Sequence, residues 1–253
     1  MSLSSSYLRQ VKLNRQRITT LEKYPFNLPI IQHLDQLDFH PKVTYIVGEN
    51  GMGKSTLMES IAVSWGFNPE GGTINFSFST RATHSELFEY IQLIRGTRRP
   101  KDGFFFRAES YYNLASTIDE LDLQVSFQPP ISASYGGRSL HEQSHGESFF
   151  STFMHRFGGN GLYLLDEPEA ALSPLRQMSM LARIHELVQK RSQFVIATHS
   201  PILMAYPDAI IFNLTAEGIE VQTLEETDHF LIMKEFLNNK DKMLKQLFDE
   251  TND

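Results

Sequence analysis

Gly48-Glu49-Asn50-Gly51-Met52-Gly53-Lys54-Ser55-Thr56 is a complete G-x-x-x-x-G-K-[ST] stretch, and its chemistry sets the fold. Gly48, Gly51 and Gly53 let the backbone take positive φ and come close to an anion. Backbone N–H groups, and the N-terminus of a helix that follows, then face the phosphates of a nucleotide. The Lys54 ammonium can reach the β- and γ-phosphates, and the Ser55 hydroxyl can ligate Mg2+. The flanks agree. Val43–Val47 is a short β-branched run that reads as a buried strand ending in Gly48, and Lys54–Trp65 reads as a helix with Leu57, Ile61 and Ser64 or Trp65 on one face. A chance glycine-rich turn is the competing explanation, and the full motif in this setting outweighs it.

The second landmark is Leu162-Tyr163-Leu164-Leu165-Asp166-Glu167, an apolar strand that ends in two carboxylates. In phosphate-loop enzymes an Asp at such a strand end holds Mg2+, usually through water. The adjoining Glu167 stands where a carboxylate can orient and deprotonate an attacking water. Alone, the pair would equally suit a solvated strand end with helix-capping acids. The phosphate loop upstream favours the catalytic reading.

Strands and helices alternate along the rest of the chain. Glu86–Ile94 reads as a helix, Gly103–Arg107 as an aromatic core strand, Asn113–Asp122 as helical, and the Ser-, Gly-, Pro- and His-rich stretch Pro129–Gly146 as loop. Ser148–Phe157 and Leu175–Lys190 are helix candidates, Phe194–Ala197 is a third buried strand, and Ala209–Phe212 with Ile219–Val221 forms a hairpin. His229–Phe248 reads as one amphipathic, mixed-charge helix. The expectation is an α/β phosphate-loop fold with a mostly parallel sheet and flanking helices. It would be one domain over residues 1–253, with a core of about 1–108 and 149–226, a small subdomain of about 109–148 and a C-terminal helix of about 229–248.

Two further stretches carry a family resemblance. Gln143-Ser144-His145-Gly146-Glu147-Ser148 looks like the signature loop of ABC ATPases, and Ala197-Thr198-His199-Ser200 like their switch-histidine loop. With Gly48–Thr56 and Asp166–Glu167 they follow the family's order, over roughly Val43–Pro201. Within the family, Asp166-Glu167-Pro168-Glu169, Leu172-Ser173-Pro174 and Thr198-His199-Ser200-Pro201 most resemble compact bacterial AAA- or ABC-class ATPases near the OLD-type and SMC-like proteins. The resemblance implies a soluble ATPase that forms a head-to-tail homodimer with two ATP molecules sandwiched between subunits. Ser144, His145, Gly146 and Glu147 of one chain would face the γ-phosphate held by the other. His199 would contact the γ-phosphate in its own chain, and Glu167 would be the general base. Mg2+ would accompany ATP.

Departures from the transporter pattern are visible. His145 stands where Gly is usual, Gln143 replaces Leu, and Ser173 occupies the D-loop Asp position. No Q-loop glutamine follows Phe104–Phe106. Arg107 or Glu109 occupies that neighbourhood, either being a candidate contact to the γ-phosphate or to a metal-bound water. The interval from Glu109 to Ser144 is short for a transporter's helical insertion and far too short for coiled-coil arms. Tyr24, with Phe26 beside it, lies near where transporter-type members place an adenine-stacking aromatic; both also suit packing against the first sheet.

Composition bounds the rest. The 253 residues are 41% hydrophobic and 21% charged, enough to bury a core. A net charge of −7 argues against coating nucleic acid, although Arg95, Arg98, Arg99 and Lys101 make a basic loop that suits either solvent or an anionic partner. With no cysteine there is no disulfide, thiolate zinc or iron–sulfur site, which fits a cytoplasmic protein. Polar Met1–Gln10 lacks the apolar core of a signal peptide, and no run approaches the ~18 apolar residues of a membrane helix. Direct membrane insertion is not expected. A partner protein, a transporter role through a separate membrane subunit, and a non-hydrolysing nucleotide sensor are the remaining alternatives.

Overall fold

The computed structural model describes residues 6–74, 85–111, 145–170 and 172–249, with the side chains of residues 145 and 146 left out of the description. In chain order the elements are β1 (Leu8–Leu13), α1 (Pro29–His33), β2 (Gln36–Asp38), β3 (Val43–Gly48), α2 (Lys54–Trp65), β4 (Ile91–Arg95) and β5 (Asp102–Arg107). They continue with α3 (His145–Arg156), β6 (Gly161–Asp166), α4 (Pro174–Gln189), β7 (Gln193–Ala197), α5 (Pro201–Met204), β8 (Ile210–Leu214), β9 (Ile219–Gln222), α6 (Asp228–Asn238) and α7 (Lys240–Asp249).

Six strands form the main sheet in the order β5-β6-β7-β3-β8-β9. The first five are parallel, and β9 returns antiparallel along β8. All six residues of β3 and of β6 are buried, as expected for parallel strands covered on both faces. Successive side chains serve opposite cores. Phe104, Phe106, Tyr163 and Leu165 join Phe149, Phe153 and Phe157 of the α3 region and Met180, Ile184 and Leu187 of α4. Phe105, Leu162 and Leu164 join Leu57, Met58, Ile61 and Trp65 of α2.

The first core is dominated by aromatic rings. Phe153 is fully buried, with Phe149 and Phe157 at ring-centroid distances of 6.2 Å and 4.9 Å, and Phe157 stacks on Tyr163 at 4.4 Å. Truncating Phe153 to alanine leaves a ring-sized void that rigid strand residues cannot collapse into. It is expected to cost about 3–5 kcal/mol, read as a lowered denaturant midpoint. A loss under ~1 kcal/mol would mean that the helix repacks.

A smaller antiparallel sheet, β2-β1-β4, closes the other side of α2. Here the sequence reading is corrected. Glu86–Ile94 is not a helix: Glu86–Glu89 makes one 3-10 turn, and Ile91–Arg95 is β4, paired with β1 from Leu8↔Arg95 to Leu13↔Ile91. Ile91 and Leu93 alternate with exposed Gln92, so pairing with β1 overrides the local helical pattern. The C-terminal stretch is likewise two helices, not one. The break falls at Asn239 (φ −128°, ψ 37°), whose N–H and side-chain amide both bond to Glu235. Asn238 and Asn239 are weak helix formers that compete for backbone bonds there. The helix read as Ser148–Phe157 starts three residues earlier, so His145, Gly146 and Glu147 lie in its first turn and not in a loop. The helix expected at Asn113–Asp122, most of the small subdomain and Ser144 fall outside the described residues. No described helix is long and apolar enough to cross a membrane.

Candidate nucleotide and catalytic site

The register of the parallel sheet gathers the sequence landmarks at one edge. Arg107 lies opposite Asp166, Asp166 opposite Ala197, and Ala197 opposite Ile46, two residues before Gly48. The carboxyl ends of β5, β6, β7 and β3 therefore present Arg107, Asp166–Glu167, Thr198–His199 and the glycine-rich loop together. This is where open α/β sheets place ligands.

The loop is built around backbone that needs glycine. Gly48 has φ +136°, and a Cβ there would sit 2.5 Å from the Leu214 carbonyl of β8. Gly53 has φ +98°, and its Cβ would meet Ile30 Cγ2 of α1 at 2.6 Å. Helix α1 also donates the Ile30 N–H to the Met52 carbonyl at 3.1 Å, so it buttresses the loop from outside. Glu49, Asn50 and Gly51 are exposed, and α2 starts at Lys54 with its first amides and positive dipole end at the loop.

Lys54 is 4% exposed, and its ammonium turns back to donate to the carbonyls of Gly48 (2.7 Å) and Glu49 (2.9 Å). Burial lowers its pKa, while the carboxylates of Glu167, Asp166 and Glu169 oppose that shift. Ser55 Oγ donates to Asp166 Oδ1 at 3.1 Å. Asp166 is 3% exposed, and burial pushes its pKa up to about 7 against the Ser55 hydrogen bond and the Arg107 charge. Such a carboxyl is one that a nearby cation would return to the charged form. Thr56 follows on α2, and its Oγ1 is 3.4 Å from the Tyr24 hydroxyl.

Glu167 sits at φ +51°, and its N–H is held by the Ala197 carbonyl at 2.9 Å. Positive φ is uncommon in a non-glycine residue, and here it falls at the strand end beside the site. One carboxylate oxygen lies 3.6 Å from His199 Nε2. The backbone N–H of His199 donates to Glu169 Oε1 at 2.6 Å, and its Nδ1 is 2.8 Å from His229 Nε2 on α6. Burial, first of all, lowers the pKa of both histidines, and the Lys54 charge adds to this.

Glu169 and His229 are the site residues that sequence reading did not single out. Each reaches His199 across 30 residues. The acidic run Asp166-Glu167-Pro168-Glu169, with three carboxylates, was the one available signal for Glu169; nothing local marks His229.

The other candidates separate. Arg107 bonds Glu59 at 2.5 Å and Glu109 at 3.2 Å, so its guanidinium is an ion-paired brace beside Asp166. Glu109 is exposed and held by that arginine. Tyr24 is 59% exposed, next to Thr56, whereas Phe26 is buried edge-on against Tyr90 and belongs to the core. Glu147 accepts from Arg176 at 3.3 Å, far along the chain from the loop it would serve in a partner. Ser173 caps α4 by accepting the Arg176 N–H at 3.4 Å. In the basic loop, Arg95 bonds the carbonyls of Ser64 and Trp65 and lies 4.4 Å over the Trp65 ring, a structural role.

Among the described residues no group of three His, Cys, Asp or Glu side chains could by itself hold a metal. That suits Mg2+, which takes few protein ligands and fills its shell with phosphates and water. The adjacent Ser55 hydroxyl and Asp166 carboxylate are donors of the right type. A cleft of about 900 Å³ opens beside this edge, walled by Glu49, Met52 and His199 on one side and by Ile232, Met233 and Phe236 of α6 on the other.

The fold and this edge define a P-loop nucleoside triphosphatase. Two family models match in succession: an "AAA domain" over residues 26–105, and an "AAA domain, putative AbiEii toxin, Type IV TA system" over residues 90–205. The L-cystine transport system ATP-binding protein TcyN of Escherichia coli K12 is 28% identical over 193 residues, spanning 69% of this chain and 76% of its own. A "Putative ABC transporter ATP-binding protein" of Caldanaerobacter subterraneus subsp. tengcongensis, TTE0246, is 26% identical over 245 residues, spanning 87% and 93%. The solved structure of an ATP-binding cassette of an ABC transporter superposes with a TM-score of 0.52 at 16% identity, covering 93% of this chain and 96% of the other. The chain is thus a P-loop ATPase that carries AAA-domain matches and is similar to ABC-type ATP-binding proteins.

Proposed function

We propose that this chain hydrolyses ATP as an ATP-sandwiched homodimer and couples the cycle to a process outside membrane transport, DNA maintenance or defence being candidates. The observation that carries the site assignment is the Ser55 Oγ–Asp166 Oδ1 contact of 3.1 Å, because it joins the phosphate loop to the acidic strand end.

The amides of Gly48–Thr56 take the β- and γ-phosphates, and Lys54 leaves the Gly48 and Glu49 carbonyls to bond them. Ser55 and Asp166 would hold Mg2+, which when bound would supply charge neutralisation to the phosphates. Glu167 accepts the proton of the attacking water, and His199 Nε2–H donates to a γ-phosphate oxygen. Tyr24 stacks on the adenine. Ser144, His145, Gly146 and Glu147 complete the γ-phosphate shell of the partner chain, so that chemistry waits for dimer closure.

The dimer is tested by multi-angle light scattering of Glu167→Gln with ATP and Mg2+. A species of twice the monomer mass is expected, returning to monomer when ATP is removed. Monomer alone at saturating ATP would count against the sandwich.

A second reading, the ATP-binding subunit of a membrane transporter, draws on the similarity to the cystine-system subunit. Against it stand the short Glu109–Ser144 interval and an arginine, ion-paired to Glu59, in the Q-loop neighbourhood. Stoichiometric co-purification with a membrane protein would favour the transporter.

A further inference from the structure

We infer that His229 is a positioning residue: by donating its Nε2–H to His199 Nδ1, it holds His199 as the neutral Nε2–H tautomer that a γ-phosphate donor requires. The inference rests on the proposed role of His199. The two ring nitrogens are 2.8 Å apart, so one must donate and the other accept. The opposite side of His199 decides which. Its Nε2 has no hydrogen-bond partner among the described residues and faces the Glu167 carboxylate oxygen at 3.6 Å. A carboxylate offers only lone pairs, so a proton on Nε2 is attracted to it and a lone pair there is repelled. With Nε2 protonated and the ring neutral, Nδ1 is the acceptor, and the proton between the rings belongs to His229. Burial and the Lys54 charge keep both rings neutral, which preserves this one-donor, one-acceptor pair. The His199 backbone is fixed separately by Glu169. Side-chain tautomer and backbone position therefore come from different elements, α6 and the turn after β6. This is the logic by which an outer hydrogen-bond partner sets a histidine's working nitrogen.

The test combines a spectrum with a variant series. In nucleotide-free full-length protein, long-range 1H–15N correlation of the His199 ring is expected to show the Nε2–H form; an Nδ1–H form would overturn the inference. With ATP and Mg2+, His229→Ala is expected to lower kcat about 10–100-fold with KM within about threefold. His229→Gln, whose amide nitrogen can donate from the same place, is expected to recover most of that loss. Wild-type turnover in His229→Ala, or no recovery in His229→Gln with its α6 circular dichroism and melting temperature intact, would overturn it. Because the spectrum is read without nucleotide, the tautomer can fail independently of the catalytic reading. That reading fails instead if His199→Ala turns over at the wild-type rate.

Discussion

Replacing Glu167 with glutamine is expected to lower steady-state phosphate release by about 10²–10⁴-fold, the contribution typical of a positioned general base. ATP affinity should be retained or improved. Glutamine keeps the shape at a φ of +51°, where the backbone is held by the Ala197 carbonyl, so the strand end should not move. It also removes one of the negative charges clustered with Asp166 and Glu169, which a triphosphate must approach. The pattern to look for is a collapsed kcat with preserved nucleotide binding. Turnover within a factor of three of wild type would assign the proton to another group.

Lys54→Ala acts on the opposite half of the cycle. The ammonium is almost fully buried, and it faces the carboxylates of Glu167, Asp166 and Glu169. In the absence of nucleotide its two hydrogen bonds go to loop carbonyls that are exchangeable for phosphate oxygens. Removing it takes away the buried ammonium between these carboxylates and the phosphates, while Arg107, beside Asp166, is already ion-paired to Glu59 and Glu109. Truncating one partner of a buried, hydrogen-bonded charge pair costs about 2–5 kcal/mol, or roughly 30- to 5,000-fold in Kd. Isothermal titration should therefore show tight ATP binding lost. An unchanged affinity would remove the phosphate assignment of the loop.

Much of this was legible in the chain because the constraint was local. A glycine is required at Gly48 by the Leu214 carbonyl and at Gly53 by Ile30, and those same glycines make the motif readable. The fully buried strands β3, β6 and β7 appear as mostly apolar runs, with polar residues only at Thr44, Asp166 and Gln193. Where structure depends on distant partners the reading fell short. Strand β1 is a mixed sequence, Leu8–Leu13, whose strand character comes from pairing with β2 and β4. Strand β4 was read as helix for the same reason. Periodicity runs through Asn239 without a Pro or Gly, so the α6–α7 break left no strong mark. Glu169 and His229 meet His199 only because β6, β7 and α6 converge on one sheet edge.

The most direct test is a crystal structure of Glu167→Gln grown with ATP and Mn2+ in place of Mg2+, with the metal located by its anomalous signal. The metal is expected in contact with Ser55 Oγ and beside Asp166, with the γ-phosphate on the Gly48–Thr56 amides. Lys54 Nζ should have moved from the Gly48 and Glu49 carbonyls to phosphate. A metal peak remote from Ser55 and Asp166, or a triphosphate seated in the cleft against α6 with Lys54 still on those carbonyls, would contradict this arrangement.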